Sequence, residues 1–218
     1  MDLYPSHYPL TGVVRKLVFA FVRLYFRPQV TGREHLPTQG AFILAANHAS
    51  HIDTAVLFST LPPQLRQRVV AAAARDYFFE HGDLRQGVAR MLFNAIPVDR
   101  DAAAGEDPLR HAVRALREGY GLLIYPEGTR SPDGTIGPFR RGIGRLVAAF
   151  PGIPVIPAHL GAAAQALPKG ATLPRPYTIH VQFGAPLYLQ AQLDDRASWQ
   201  AAADEVRAAV LQLAARAK

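Results

Sequence analysis

Short apolar runs alternate along this chain with longer stretches in which apolar residues recur every three or four positions. Runs without helical spacing predict buried strands at 41–46, 68–74, 95–98, 121–125, 153–159 and 177–183. Helical spacing predicts helices that open near Ser50 and that cover 10–26, 76–93, 105–118, 142–150 and 194–217. Strands that alternate with helices predict an α/β domain, with a mostly parallel or mixed sheet flanked by helices.

The first helical stretch differs from the others in its charge and its aromatic content. Four cations lie within or beside it: Arg15, Lys16, Arg23 and Arg27. Asp2 is the only acid in residues 1–32. This pattern is typical of a helix that lies on an anionic membrane surface, and a core-facing helix with a basic outer face fits it as well. We therefore expect an N-terminal interfacial segment at 1–30 and an α/β domain at 31–218.

Composition narrows the classes of function. The 218 residues contain 24 Lys and Arg against 17 Asp and Glu, a net charge of +7. A basic chain suits nucleic acid, anionic lipid or phosphorylated substrates, but no long basic run or aromatic-basic motif supports nucleic-acid binding. No stretch of spanning length and no signal-peptide pattern occurs, so we expect a peripheral or monotopic protein on the cytoplasmic face of a membrane. The absence of cysteine excludes a thiolate nucleophile.

Candidate chemistry follows the strand predicted at 41–46, which ends in Asn47 and His48, with Asp53 five residues after the histidine. Open α/β sheets place their chemistry at the carboxyl ends of strands. There a carboxylate can accept from one imidazole nitrogen and leave the other free as a base. Two other interpretations stay open. His48 and Asp53 can simply cap the strand and the helix, or His48, His51 and Asp53 can bind a metal, as in a metal-dependent hydrolase.

A second polar loop, residues 126–134, follows the strand predicted at 121–125. It contains an acid, Glu127, and an arginine, Arg130. A guanidinium offers a planar fork of donors that suits a phosphate monoester. Glu127 can bind a sugar or glycerol hydroxyl, or it can orient Arg130.

Further cations lie near this loop and at another strand end. Arg140 and Arg141 precede the helix predicted at 142–150, whose first amides also attract anions. Arg100 follows the strand predicted at 95–98. Together with Arg130 they predict an anion site. A base at one strand end and a phosphate clamp at another suit the deprotonation of a hydroxyl on a phosphorylated acceptor.

These motifs resemble the glycerolipid acyltransferase family that is typified by 1-acylglycerol-3-phosphate acyltransferase. Four blocks match in order and spacing over about residues 30 to 190. They are Asn47, His48 and Asp53; residues 93–100; Glu127 to Ser131 with Phe139, Arg140 and Gly142; and residues 155–158. The ordered set is far more specific than any single block.

The resemblance implies transfer of an acyl chain from a thioester, acyl-CoA or acyl carrier protein, to the hydroxyl of a lysophospholipid. His48 then acts as the general base and Asp53 orients it. Residues 155–158 shape the acyl-donor side, and neither a metal nor another cofactor is needed. The positions expected to bind the acceptor are Arg100, Glu127, Gly128, Thr129, Arg130 and Arg140.

Departures from the family pattern leave the acceptor open. The second block often has a glycine and an aromatic residue where this chain has Asn94 and Pro97, and the third often has Phe-Lys where this chain has Phe139 and Arg140. Phosphatidate from 1-acylglycerol-3-phosphate is the expected product. A lyso-amino-acid lipid or another lysophospholipid is the alternative acceptor, and a non-catalytic lipid-binding or acyl-carrier-binding module is the alternative function.

Overall fold

The computed structural model describes residues 9–74, 84–99, 106–168, 171 and 173–216. Strands in this part of the chain form one sheet of seven: β1 (Gln29–Thr31), β2 (Phe42–Ala46), β3 (Val69–Ala74), β4 (Ile96–Val98), β5 (Gly121–Ile124), β6 (Val155–Gly161) and β7 (His180–Phe183). Their order across the sheet is β1-β7-β6-β2-β5-β3-β4. The run from β6 to β4 is parallel, β7 is antiparallel to β6, and β1 is parallel to β7.

Helices cover both faces of this sheet. They are α1 (Pro9–Phe26), α2 (Asp53–Thr60), α3 (Pro63–Arg66), α4 (Leu84–Phe93), α5 (Arg110–Arg117), α6 (Gly142–Ala149), α7 (Ala163–Ala166) and α8 (Arg196–Arg216). Phe19 of α1 and Phe58 of α2 belong to the buried core on one face. Leu146 of α6 and Val206 of α8 belong to the core on the other face. The predicted α/β architecture with a mixed sheet flanked by helices is confirmed.

Strand pairing explains why the two polar loops meet. β2 and β5 are parallel and in register from Phe42 opposite Gly121 to Ala45 opposite Ile124. Both strands therefore end at the same edge of the sheet. Extending that register by three residues on each strand places His48 beside Glu127, and their hydrogen bond confirms the placement.

The start of α2 corrects one prediction. Ser50 was expected as the cap near which the helix opens, but α2 begins at Asp53, and Ile52 precedes it without a side-chain cap. The Ser50 hydroxyl donates instead to the Leu167 carbonyl at 2.9 Å. A long-range partner therefore replaces the local one, because the chain after α7 returns beside the His48 loop.

Other predicted boundaries shift by a few residues. The three-residue strand β1 was not predicted, since it is too short for alternation to identify it. Residues 177–179 lack strand pairing, and β7 begins at His180. α5 begins at Arg110 rather than near 105. Part of the helix predicted at 76–93 lies outside the described residues, which include it from Leu84 onward.

α1 confirms the predicted N-terminal helix and shows two apolar surfaces. Phe19, Val22 and Phe26 are buried in the core. On the outer surface Leu17 and Leu24 are 66% and 80% exposed. Among the described helices none is both long and apolar enough to cross a membrane. The division at residue 30 stays a prediction.

Candidate active site

His48 and Asp53 form a close pair at the end of β2. The Nδ1 atom of His48 lies 2.8 Å from Oδ2 of Asp53. Because an ionised carboxylate can only accept, Nδ1 is the donor and carries the proton. The histidine side chain is 22% exposed, whereas that of Asp53 is fully buried. Nε2 has no hydrogen-bond partner among the described residues and is therefore available to a substrate.

Asp53 is held by more than the histidine. Its Oδ2 also accepts the peptide N–H groups of Ala49 at 2.7 Å and Ser50 at 2.8 Å. As the first residue of α2, it lies at the positive end of the helix dipole, which favours a carboxylate. Three donors on one oxygen fix the carboxylate, and the carboxylate in turn fixes the plane of the His48 ring.

The loop after β5 forms two hydrogen bonds with the backbone of His48. Oε1 of Glu127 accepts the His48 peptide N–H at 2.7 Å. The Ser131 peptide N–H donates to the His48 carbonyl at 2.8 Å. Thr129 and Arg130 lie in the chain between these anchors. The loop that contains Arg130 is thus attached directly to the residue that contains the candidate base.

Glu127 is buried and has a structural task for each carboxylate oxygen. While Oε1 accepts from His48, Oε2 accepts the Gly137 peptide N–H at 3.1 Å. Burial raises the pKa of Glu127 above its ordinary value, and these two hydrogen bonds oppose the rise. Each oxygen thus holds one peptide N–H of the protein, so Glu127 helps to shape the site. A carboxylate oxygen can accept more than one hydrogen bond, and a role for Glu127 in binding a substrate hydroxyl stays a prediction.

Gly128 and Arg140 are in direct contact. Gly128 has a φ of +73°, which favours glycine. A Cβ atom at this position would lie 2.7 Å from Nε of Arg140. The same Nε donates to the Glu127 carbonyl at 3.2 Å. Glycine at this position therefore lets the Arg140 side chain lie flat on the loop.

Tyr125 was not predicted as a site residue, although it stacks on the candidate base. Its ring centroid lies 4.2 Å from that of His48, with an angle of 17° between the planes. Its hydroxyl shares a 3.0 Å hydrogen bond with Thr54. Burial raises the pKa of Tyr125 well above 10, and the Asp53 carboxylate adds to the rise, while the Thr54 bond opposes it. Its place directly after β5 was the available signal, because strand ends gather at this edge.

Asn47 serves the sheet rather than the substrate. Its side chain accepts the Leu160 peptide N–H at 2.8 Å and donates to the Leu160 carbonyl at 3.2 Å. This paired bond joins the end of β2 to β6 and sets where the chain leaves the sheet. His48 is consequently the first residue of the loop that points its chemistry outward.

The remaining predicted residues have different outcomes. Thr129 is exposed and Arg130 is half-buried, and within the described ranges neither side chain forms a hydrogen bond or an ion pair. Arg100 lies outside the described residues. Asn94 has a φ of +48°, the left-handed region that asparagine adopts more easily than most residues, which explains how it replaces a glycine.

The metal interpretation gains no support from geometry. Within the ranges that the structure describes, no three His, Cys, Asp or Glu side chains are grouped so that they could hold a metal ion. His51, one of the three residues in that hypothesis, is exposed on the turn that precedes α2.

Comparisons with known proteins show the family of this chain. A family model described as Acyltransferase matches residues 27–161. A 1-acyl-sn-glycerol-3-phosphate acyltransferase from Pseudomonas aeruginosa is 32% identical over 169 residues, which are 76% of this chain and 61% of that protein. The chloroplastic 1-acyl-sn-glycerol-3-phosphate acyltransferase BAT2 from Brassica napus is 28% identical over 149 residues, which are 67% of this chain and 41% of that protein. The chain thus spans only about two-fifths to three-fifths of the length of these relatives.

A solved structure shares the fold. The crystal structure of the 1-acyl-sn-glycerophosphate (LPA) acyltransferase PlsC from Thermotoga maritima superposes with a TM-score of 0.69. The match covers 94% of this chain and 81% of that chain at 22% sequence identity. At that identity the likeness shows the fold alone.

Proposed function

The chain belongs to the acyltransferase family, and on that premise we propose that it moves a fatty acyl chain from a thioester to the free hydroxyl of a lysophospholipid. The donor is acyl-CoA or acyl carrier protein. The acceptor is 1-acylglycerol-3-phosphate, and the product is phosphatidate. The observation that supports this most is the oriented His48, whose free Nε2 lies beside the loop that contains Arg130.

The proposed reaction gives the two nitrogens of His48 different tasks: Nε2 moves the proton, and Nδ1 stays hydrogen-bonded to Asp53. Nε2 takes the proton of the acceptor hydroxyl as its oxygen attacks the thioester carbonyl. The tetrahedral intermediate collapses, the C–S bond breaks, and the imidazolium returns the proton to the departing thiolate. Asp53 stabilises the imidazolium through the Nδ1–Oδ2 bond of 2.8 Å. The balance is one new ester and one free thiol, and it needs no metal and no further cofactor.

We assign recognition of the acceptor phosphate to the cations of the second loop. Arg140 lies against Gly128, and Arg130 follows two residues later in the chain and has no carboxylate partner among the described residues. Arg100 joins them only through the family resemblance. A phosphate group would complement this charge by charge-assisted hydrogen bonds. The relatives from Brassica napus and Pseudomonas aeruginosa are 1-acyl-sn-glycerol-3-phosphate acyltransferases, which supports the same acceptor.

We further propose that α1 binds the protein to the cytoplasmic face of a membrane. Its outer surface exposes large apolar side chains: Val13, Val14, Leu17, Phe21 and Leu24. Lys16 and Arg23 are exposed along one flank of the same helix, two turns apart. An apolar strip bordered by cations suits insertion at the surface of an anionic bilayer, where the lipid acceptor is found.

The test of this proposal is product formation by the purified protein with acyl-CoA or acyl carrier protein as donor. We expect phosphatidate from 1-acylglycerol-3-phosphate, identified by mass spectrometry, and little product from monoacylglycerol, which lacks the phosphate. Equal use of monoacylglycerol would contradict the phosphate assignment. No product with any donor and any lysophospholipid would favour a binding module.

Arg130→Ala tests the phosphate clamp separately. We expect an acceptor KM about 10- to 100-fold higher with kcat little changed, because charge-assisted hydrogen bonds to the bound phosphate are lost. Arg117→Ala is the matched control, since it removes an exposed arginine at the end of α5 that belongs to neither polar loop. An unchanged KM in Arg130→Ala would place the phosphate elsewhere.

A further inference from the structure

Arg23 and Arg66 meet at the carboxyl end of α2, the opposite end of that helix from Asp53, and Arg15 lies near enough to Arg66 to lower its pKa by repulsion. Arg15 and Arg23 belong to α1, and Arg66 ends α3. Nη1 of Arg23 and Nη2 of Arg66 both donate to the Ser59 carbonyl, at 3.0 and 3.4 Å. Asp53 begins the same helix, so this group, the three-arginine cluster, lies roughly 10 Å along the helix axis from the catalytic pair.

Helix capping explains only part of the three-arginine cluster. Nη2 of Arg66 also donates to the Leu61 carbonyl at 2.8 Å, and its guanidinium carbon lies 4.7 Å from the Phe19 ring centroid. A cation at a helix carboxyl end is favourable, and one is enough. Yet Nε of Arg66 and Nη2 of Arg15 are buried and have no hydrogen-bond partner among the residues that the structure describes. Buried guanidinium N–H groups without an acceptor are costly, so capping alone does not account for the arrangement.

The charge of the cluster is also uncompensated. In the described part of the chain none of the three arginines forms an ion pair with a carboxylate. Burial lowers the pKa of Arg66 to about 10, and repulsion from Arg23 and Arg15 adds to the effect. Within the described ranges the acceptor of Arg15 is a neutral group, Oδ1 of Asn94, at 3.3 Å. Three converging cations with N–H groups to spare are complementary to a phosphate oxyanion.

The surroundings indicate where such a phosphate comes from. Arg23 is exposed and opens the cluster to the surface. The same helix exposes the apolar strip of α1, and Leu24, the residue after Arg23, is 80% exposed. A lipid headgroup bound at the cluster would leave its acyl chains beside apolar side chains, whereas a free phosphate would gain nothing from them.

We propose that Arg15, Arg23 and Arg66 form a binding site for the phosphate group of an anionic phospholipid, separate from the site of acyl transfer. The choice of a lipid as the source rests on the membrane association proposed above. The site itself rests on the three side chains. It would anchor α1 to a lipid headgroup and hold the sheet edge that contains His48 at a defined position above the bilayer.

Vesicle binding by the full chain tests the lipid. The vesicles contain phosphatidylcholine with or without a minor fraction of phosphatidate, and the proteins are wild type, Arg15→Gln, Arg23→Gln and Lys16→Gln. Lys16 is the matched control because it is exposed on α1 and contributes the same charge. We expect Lys16→Gln to weaken binding to the phosphatidate vesicles about fivefold, the general effect of one cation. We expect each arginine variant to weaken it about 10- to 100-fold, because hydrogen bonds to the phosphate are lost as well.

Thermal unfolding in inorganic phosphate tests the site without a membrane. We expect a saturable rise in Tm for wild type and Lys16→Gln, and a smaller rise for the two arginine variants. A parallel Arg130→Ala protein shows how much of the rise belongs to the acceptor site. Arg23 is exposed, so its variant remains informative even if Arg15→Gln fails to fold.

Two results would overturn the proposal. If the arginine variants match Lys16→Gln in both experiments, the cluster is not a phosphate site. If they differ only in inorganic phosphate, the site takes free phosphate and not a lipid. His48→Ala should bind vesicles like wild type, so a failure of the proposed acyl transfer would not be mistaken for a failure of this site.

Discussion

The two ends of α2 carry opposite charges: a carboxylate lies at the amino end, and guanidinium groups lie at the carboxyl end. At the amino end a single carboxylate, Asp53, accepts from one imidazole and two peptide N–H groups. At the carboxyl end Arg23 and Arg66 donate to the carbonyls of Ser59 and Leu61, and among the described residues Nε of Arg66 and Nη2 of Arg15 are buried without partners. Each end has the sign of charge that the helix dipole favours. At the amino end Oδ2 of Asp53 has three donors from within the protein, while Oδ1 is buried without a hydrogen-bond partner among the described residues. At the carboxyl end the buried atoms without partners are hydrogen-bond donors.

The difference teaches how to separate a catalytic site from a binding site in this fold. A base works best when its geometry is fixed before the substrate arrives, and Asp53 achieves this by using protein donors on one oxygen. A site for an anion must keep donors available, and the arginines do so at a cost to the unliganded protein. The carboxylate oxygen held by three protein donors at the amino end of α2 and the unused donors at its carboxyl end therefore indicate different tasks.

The largest effect is expected from changing Asp53 at the amino end of α2. Asp53→Asn should lower kcat by about 10²- to 10⁴-fold, because an amide cannot stabilise the imidazolium and does not fix the ring as a carboxylate does. The measurement is the steady-state rate of thiol release, with thermal unfolding to verify the fold. Ser59→Ala, at the opposite end of the same helix, removes only a hydroxyl that bonds the Val56 carbonyl and should retain turnover. Wild-type kcat in a folded Asp53→Asn protein would show that Asp53 does not support His48.

A smaller effect is expected from changing Glu127, which accepts a hydrogen bond from the His48 backbone. In Glu127→Gln one of two peptide N–H groups, that of His48 or of Gly137, loses its acceptor. We expect a loss of about 1–3 kcal/mol in the free energy of unfolding, measured by chemical denaturation. An unchanged free energy would contradict the role given to both carboxylate oxygens.

The pH dependence of stability sharpens that prediction. The folded-state pKa of Glu127 is raised above its ordinary 4.5, so folding favours the protonated form. Its contribution to stability is therefore full below pH 4.5 and is lost as the pH rises through the folded-state pKa. Glu127→Gln should lack this decline when unfolding is followed across mildly acidic pH, and an identical decline in both proteins would assign it to another group.

The smallest effect is expected at the three-arginine cluster near the carboxyl end of α2. Added salt screens the repulsion within the three-arginine cluster, so wild type should gain somewhat more stability from sodium chloride than Arg23→Gln, by less than about 1 kcal/mol. Thermal unfolding over a salt series measures the difference. Lys16→Gln is again the control, and its salt response should stay closer to that of wild type. Equal responses in Arg23→Gln and wild type would mean that the arginines do not repel one another appreciably.

Much of the candidate active site at the amino end of α2 could be predicted from sequence, because its residues are close together in the chain or directly follow strands. His48 and Asp53 are five residues apart, and the loop after β5 is recognisable from Glu127 to Arg130. Their meeting depends on the register of β2 and β5, and linear spacing does not contain that register. The same pairing explains why Tyr125, one residue beyond β5, was missed as the ring that stacks on His48.

The three-arginine cluster could not be predicted from sequence in this way. The sequence identifies Arg15 and Arg23 as cations of an amphipathic helix, whereas no motif singles out Arg66. Only the packing of α1 against α2 brings the three guanidinium groups together. Ser50 shows the same limit on a smaller scale, since a carbonyl that is 117 residues away replaced the local cap.

The central claim is that His48 is the base of an acyl transfer, and thiol release tests it most directly. Purified protein, acyl-CoA and 1-acylglycerol-3-phosphate are followed with a thiol reagent, beside His48→Ala; the chain has no cysteine to contribute background. We predict release that requires the acceptor and the native protein and that is abolished in a folded His48→Ala variant. Undiminished release by that variant would contradict the account.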